Sequence, residues 1–473
     1  MTALEKKQAK EIERLNALVA ELQQIIADQA QLIAELKEQI NKNSQNSSKP
    51  PSSDGYKKPA PKSLREKSGK KQGAQAGHKG ETLKIDIKPS EIIPHMPAAC
   101  SNCPRCEECN GAACVAETRR VVDAVIDIKV TAHKVMEVEC PLCGERMRGD
   151  FPEDVSAPIQ YGTTLQALVV AFSTVGAVSA NRIHELFGNI FGIPLSTSTI
   201  VKMVRQCSEK LTDAEMQLKT RMSHADIAHF DETGIRVDKR LHWVHVASDG
   251  SSTYLSLSAK RGKDGMDESG VLPSFSGIAV HDCWAPYWKY DIQHGVCCAH
   301  LLRELTGVED NHPEQKWAKR FKKLLLDMKS KKEEAILSGK TGLSEETIRE
   351  LDKKYGHTLA IAYRENPIPP KDPHKQGRQK RGKVLALIDR LRKYKESICL
   401  FIKNFDVPFD NNQAERDLRM VKVKTKVSGC FRTEEGAKDF LRIMSYTSTA
   451  RKQGSNPFEA IRLAILGTPF LPR

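Results

Sequence analysis

The sequence predicts a multidomain chain. An N-terminal coiled coil, a small zinc-binding module and a helical region precede an α/β sheet domain interrupted by a helical insertion. Three observations predict this. Apolar residues recur at heptad spacing over residues 12–40, seven of the thirteen cysteines fall between Cys100 and Cys143, and beyond residue 225 the apolar period changes from helix to strand. A chain of 473 residues is also too long for one ordinary core.

The coiled coil comes first. Ile12, Val19, Ile26, Ile33 and Ile40 stand seven apart, with Leu15, Leu22, Gln29 and Leu36 three places after the first four. β-Branched residues at a with leucine at d favour two parallel strands, so residues 1–41 are expected to associate the protein as a homodimer. Leu18, Ile25 and Leu32 widen the stripe. A higher oligomer, or a helix lying on its own body, therefore stays open. The polar Gln29 at one d position would help fix register.

Residues 42–82 form a basic linker. Ser, Pro, Gly, Lys and Asn dominate, large apolar side chains almost vanish, and up to residue 80 only Asp54 and Glu66 oppose the lysines. Such a segment cannot bury enough surface to offset its ordering entropy; it is solvated or lies along phosphates. The formal net charge of +14 also points to a polyanionic partner. No apolar run reaches the roughly 18 residues of a membrane helix. The N-terminus MTALEKKQAKEIERL lacks the apolar stretch of a secretory signal. A cytoplasmic protein with no membrane partner is expected.

Residues 83–155 carry the cysteine module, with strand-like runs at 84–88, 121–130 and 133–139. In a reducing compartment, clustered cysteines suggest metal more than disulfides. Cys103-Pro-Arg-Cys106 and Cys140-Pro-Leu-Cys143 would give tetrahedral Zn²⁺ its four soft ligands. Cys100, Cys103, Cys106 and Cys109 are all three apart, with Cys114 nearby, so the upstream pair stays open.

Residues 156–222 read as helices. Segments 181–187 and 198–211 flank a break marked by Gly188, Gly192 and Pro194, and Ser196, Thr197 and Ser198 are natural caps for the second. The pair reads either as a DNA-binding helix-turn-helix with a long break or as ordinary helical packing. The sheet domain follows, in two pieces. ADIAHFDETGIRV, LHWVHVASD and STYLSLS are successive strands with hairpin breaks at 238–240 and 249–251, and SGIAVHDCW and HGVCCA supply two more. The core is placed at 223–300 and 406–450, the basic helical insertion at 301–405, and a C-terminal segment at 451–473.

Asp231 ends the apolar run IAHF, and Asp282 stands in the same relation to GIAV. A carboxylate at the tip of an apolar strand is costly to bury unless paired or ligated, and bound Mg²⁺ relieves the repulsion between two of them. Cutting a phosphodiester needs an activated oxygen and a stabilised leaving oxygen, and metals held by acidic side chains serve both needs. The third element is DNNQAERDLRMVKVKTKVSGCFRTEEGA. Asn411 or Asn412 is expected to cap a helix with Glu415 in its first turns. A basic, helix-then-strand stretch with Arg416, Arg419, Lys422, Lys424 and Lys426 follows. In isolation, Glu415 would read as one acid of a mixed-charge surface helix.

NSSKPPSSDG, GAQAGHKG, FPEDVSAPIQYG, HFDETG, HDCWAPYWKY, CCAHLLREL and AERDLRMVKVKTKVSGCFRT together resemble the insertion sequence 66 family of bacterial transposases. The resemblance runs from the N-terminal helix to SYTSTARKQG. It implies a ribonuclease-H-like catalytic fold whose Asp-Asp-Glu triad falls on Asp231 in DET, Asp282 in HD and Glu415 in AER. These would hold Mg²⁺ (or Mn²⁺), and the resemblance also implies a zinc-binding module in the cysteine region. GAQAGHKG departs from the family's more usual Gly-Gly-Gln-Pro-Gly-His, within the linker. Cys297 and His300 resemble a Cys-x-x-His pair found after the second aspartate; at i and i+3 they share a helix face and read as a buried structural pair.

The implied activity is cleavage of DNA at the element's ends and transfer of the strand into target DNA. DNA, a second copy of the chain and small accessory proteins of the element are the expected partners, in a nucleoid-associated setting. The competing readings are a catalytically inactive, zinc-containing DNA-binding regulator and a structure-specific nuclease.

Overall fold

A computed structural model describes residues 3–47, 88–97, 99, 104–105, 114–124, 127–368 and 381–471. The chain divides into two compact units, one of residues 1–60 and 133–473 and one of residues 61–132. In the smaller unit the described residues form no strand, although 121–130 reads as one. Val121 and Val130 are 95% and 87% exposed, so this apolar run has no sheet to pair with among the described residues. Cys103 and Cys106 lie outside the described residues, as does nearly all of the linker.

The larger unit opens with α1 (Ala3–Asn41), a single helix. Its heptad residues Ile12, Leu15, Val19, Leu22, Ile26, Ile33, Leu36 and Ile40 are exposed, so the stripe does not lie on the chain's own body. A hairpin of β1 (Glu137–Glu139) and β2 (Arg146–Arg148) follows, then α2 (Thr163–Ser173), α3 (Ala180–Phe191), α4 (Thr197–Glu209) and α5 (Thr212–Ser223). Ser179 and Ser196 cap α3 and α4 by accepting the N–H groups of Arg182 and Thr199, and Gly192 ends α3 at φ +66°.

The sheet comprises β3 (Ile227–Val237), β4 (Arg240–Ser248), β5 (Thr253–Ser258), β6 (Ile278–His281) and β7 (Gln293–Val296), in the order β5-β4-β3-β6-β7. The first three strands pair antiparallel and β3, β6 and β7 pair parallel. Asp238 and Lys239, at φ +44° and +63°, form the tight β3–β4 turn that the sequence predicts there. A short α6 (Lys263–Ser269) lies between β5 and β6. After β7 come α7 (Cys298–Asn311), α8 (Trp317–Leu337), α9 (Glu345–Glu365), α10 (Gly382–Lys393), α11 (Lys395–Ile398), α12 (Leu400–Lys403), α13 (Asn412–Ser428), α14 (Glu434–Lys452) and α15 (Pro457–Ile465).

Apolar burial sorts these elements into layers. On one sheet face Ile235, Val244, Val246 and Leu255 pack against Leu418 and Val421 of α13 and Phe440 and Met444 of α14. On the other, Phe230, Ala247 and Tyr254 meet Leu218 and Met222 of α5 and Met266 of α6. The insertion builds its own core beside β6 and β7, around Trp317, Phe321, Tyr355 and Ile388. The 156–222 helices share a core with Tyr446 of α14 and Ile461 of α15, so the C-terminal helix closes the same body.

One segment departs from its expected form. The stretch after Glu415 is a single helix to Ser428, not helix then strand. Ala414, Leu418 and Val421 bury at helical spacing, whereas the alternation of Val421–Lys426 imitates a strand. Strand pairing there is limited to a bridge between Val237 and Phe431.

The foot of α1 is fixed to the body. Asn41 donates to Asn311 at 3.2 Å, Asn46 donates to Asp310 at 3.3 Å, and Glu38 pairs with His312 and Lys383. Gly307 permits this approach, since a Cβ there would stand 2.4 Å from the Asn46 carbonyl oxygen. Removal of residues 1–41 is expected to lower the mass found by light scattering from dimer or higher to monomer. An unchanged mass would contradict the coiled-coil expectation.

Candidate active site

The parallel register of β3 and β6 pairs Ile227 with Ile278, Ala228 with Ala279 and His229 with Val280. Carried two residues past the last paired residues, this register brings Asp231 level with Asp282, which follows the last residue of β6 and whose charge reaches Asp231. Asp231 does not end its strand, as the apolar run IAHF suggests; β3 continues to Val237 because its far half pairs with β4. Strand alternation turns Asp231 to the face covered by α13 and Glu232 to the other. Glu415 lies in the first turn of α13.

Asn411 sets the position of that turn. It occupies the N-cap, as expected, but its side chain makes no capping bond. Its Nδ2 donates to the Phe230 carbonyl at 2.8 Å and its Oδ1 accepts from His229 Nδ1 at 2.8 Å. Its backbone N–H donates to Cys297 Sγ at 3.1 Å. His300 Nδ1 stands 3.2 Å from the same sulfur, so the Cys-x-x-His pair brackets the start of α7 against the start of α13. Burial pushes the Cys297 thiol up to about 12 and the His300 imidazole down to about 3, so both are neutral.

The acids lie within each other's fields. Burial holds the Asp231 carboxyl well above the usual range, and the charges of Glu232, Asp282 and Glu415 push it further. The hydrogen bond it accepts among the described residues comes from the Glu232 N–H at 2.8 Å. Asp282 is pushed up to about 6 by burial and by Glu232, against the N–H of Trp284 at 3.0 Å and the charge of Arg261. Glu415 is the most open, with Arg303 at 3.4 Å and His300 Nε2 at 3.8 Å from its Oε1. Among the described residues no three His, Cys, Asp or Glu side chains are gathered closely enough to hold a metal ion. The donor chemistry nonetheless suits a hard cation: two adjoining carboxylates short of positive partners, and a third turned aside onto Arg303.

Behind this pair lies a network that the sequence motifs do not reveal. Glu232, its side chain 1% exposed, accepts from Arg261 Nε and Nη2 at 3.0 and 2.8 Å and from the Tyr287 hydroxyl at 2.8 Å. His281 stacks on Tyr287 with ring centroids 4.4 Å apart. It accepts the N–H of Cys283, itself held at φ +67°, at 3.1 Å. A buried Glu beside the first Asp, with an Arg in the loop after β5, was the available signal, but nothing in linear spacing joins the two.

The Transposase IS66 family matches residues 158–439, more than half of the chain and the span that contains Asp231, Asp282 and Glu415. The chain belongs to this family of transposases. Residues 4–84 match a family of unknown function (DUF6444). No curated protein matches the chain.

In this transposase the second Cys-x-x-Cys of the cysteine module lies in the β1–β2 hairpin. Cys140 and Cys143 occupy its turn, Gly144 takes φ +74°, and the Gly144 N–H donates to the Cys140 carbonyl at 2.8 Å. Backbone N–H groups of Cys143 and Leu142 hold the Cys140 thiol below its usual range, which favours the thiolate that a metal requires. No helix among the described residues is long and apolar enough to cross a membrane.

The raised Asp282 carboxyl gives a pH test of the metal-free transposase. Its folded pKa of about 6 lies above the roughly 3.9 of an unfolded chain. Ionised Asp282 therefore opposes folding above pH 6, and that opposition fades as pH falls through 6 and the folded state takes up the proton. Asp282→Asn is expected to raise the melting temperature at pH 7.5 in chelator-treated buffer, with the gain shrinking toward pH 4–5. A gain that is absent, or equal at both pH values, would contradict the burial of a charged Asp282.

Proposed function

We propose that this transposase cuts DNA at its element's ends and transfers the freed strand into target DNA, using Mg²⁺ (or Mn²⁺) held by Asp231, Asp282 and Glu415. The observation that carries the reading is the β3–β6 register, which sets two like-charged, poorly compensated carboxylates side by side beneath a helix that brings a third. The sheet order, with three antiparallel strands followed by two parallel ones, supports a ribonuclease-H-like catalytic domain. A divalent cation in this site would lower the pKa of the attacking water or hydroxyl and stabilise the leaving oxygen.

The chain's own residues prepare that chemistry. The N–H groups of Glu232 and Trp284 fix the Asp231 and Asp282 carboxylates without neutralising them. Asn411 pins α13 to β3, so Glu415 stays within reach. Arg416, Arg419, Lys422 and Lys426 are exposed along α13 and offer phosphates a positive track leading away from Glu415. Lys424 does not belong to it: its ammonium donates to the Ser173 and Val178 carbonyls and ties α13 to the helices before the sheet. In the cysteine module, Cys103, Cys106, Cys140 and Cys143 would hold structural Zn²⁺, and the exposed stripe of α1 would pair two copies on the DNA.

Two experiments test this reading. Asp231→Asn, Asp282→Asn and Glu415→Gln are each expected to abolish Mg²⁺-dependent cleavage and strand transfer on DNA bearing the element's ends, with DNA binding retained. Glu232→Gln, on the opposite strand face, is expected to keep substantially more activity. Cleavage at the parental rate by all three triad variants would reject the site, and cleavage without joining by the parent would favour the structure-specific nuclease. For the module, elemental analysis of protein purified without chelators should find one zinc per chain, lost when Cys140 and Cys143 are both replaced by Ser; no zinc in the parent would reject it.

A further inference from the structure

Arg261 is held more firmly than a surface arginine needs to be. Its guanidinium lies 4.1 Å from the Trp284 ring centroid and 4.8 Å from that of Trp243, between two indoles. Nε and Nη2 both bond to one oxygen of buried Glu232, whose other oxygen is taken by Tyr287. The backbone beneath is fixed as well. The Lys260 N–H donates to Ser258 Oγ at 3.0 Å, and the Lys260 carbonyl accepts from His245 Nε2 at 3.2 Å. Gly265 lets the chain double back so tightly that a Cβ there would stand 2.0 Å from the Lys260 carbonyl oxygen.

Despite this grip, the Arg261 side chain is 43% exposed. A guanidinium carries five N–H donors, and Glu232 engages only one edge of it. Trp284 connects this group to the candidate active site: its N–H holds Asp282 and its ring carries Arg261. Neutralising the buried Glu232 carboxylate accounts for one edge of the guanidinium and leaves the exposed remainder unused. A planar, always-charged fork fixed on two rings is instead well suited to grip a phosphate with its free edge.

We infer that Arg261 is a strand-positioning residue, whose free guanidinium edge binds a backbone phosphate of the DNA strand lying across Asp231 and Asp282. Glu232, Trp243 and Trp284 aim the guanidinium at that phosphate. The inference rests on the transposase reading above and adds a specific contact to it.

The test uses the full chain and element-end duplexes, with Ca²⁺ replacing Mg²⁺ so that binding is read without cleavage. Each duplex carries a single neutral methylphosphonate at one position around the cut. The parent is expected to lose roughly tenfold in affinity at one such position. Arg261→Ala is expected to lose a similar factor on unmodified DNA and nothing further at that position, and its slope of log affinity against log salt should be shallower by about 1. Arg261→Lys keeps the charge but not the fork, and should weaken binding at the same phosphate if the Ala variant fails to fold. Parental binding by both variants, or losses that add at every position, would overturn the inference. A parent that does not bind end DNA at all would overturn the transposase reading itself.

Discussion

The β3–β6 register brings two carboxylates together where β6 ends beside the middle of β3, and the surrounding structure is arranged around that unfavourable placement. Like charges in a partly dry setting repel, and each raises the other's proton affinity. The chain answers with single backbone N–H bonds to Asp231 and Asp282 rather than with a cation that would cancel them. Positive groups are kept one step away, Arg261 on Glu232 and Arg303 on Glu415. A site left short of positive charge in this way is suited to a metal ion and then to a phosphate.

Distant parts of the chain are recruited to hold the arrangement. Residues from β3, β7–α7 and α13 meet at Asn411, which bonds to Phe230, His229 and Cys297 at once. The insertion between Asp282 and Glu415 therefore returns the chain to a prepared anchor. Thr253 and Leu255 N–H groups donate to Thr449 and Ser445 of α14, so the edge strand β5 is closed by a helix rather than left open for pairing.

Much of this is legible in the sequence, for physical reasons. Asp231 and Asp282 stand out because each follows a short apolar run that reads as a buried strand, and the β3–β4 turn is marked by Asp238, of a residue type that tolerates positive φ. Glu415 is different: its helix is amphipathic in an ordinary way, and only the family motif lifts it above its neighbours. The extension of β3 past Asp231 depends on pairing with β4, and the helical form of 421–428 depends on burial against the sheet. Both are tertiary effects that a local pattern does not carry. Arg261 and Glu232 are 29 residues apart, and their pairing needs the β3–β4–β5 meander to bring the loop back.

The claim on which the rest turns is that Asp231 and Asp282 create a divalent-cation site in the folded chain. Electron paramagnetic resonance of Mn²⁺ titrated into the full-length protein measures it without DNA or turnover. The account predicts that the parent removes the free-ion signal and that Asp231→Asn, folded to the same melting temperature or higher, leaves it largely intact. Equal Mn²⁺ uptake by the two proteins would contradict it.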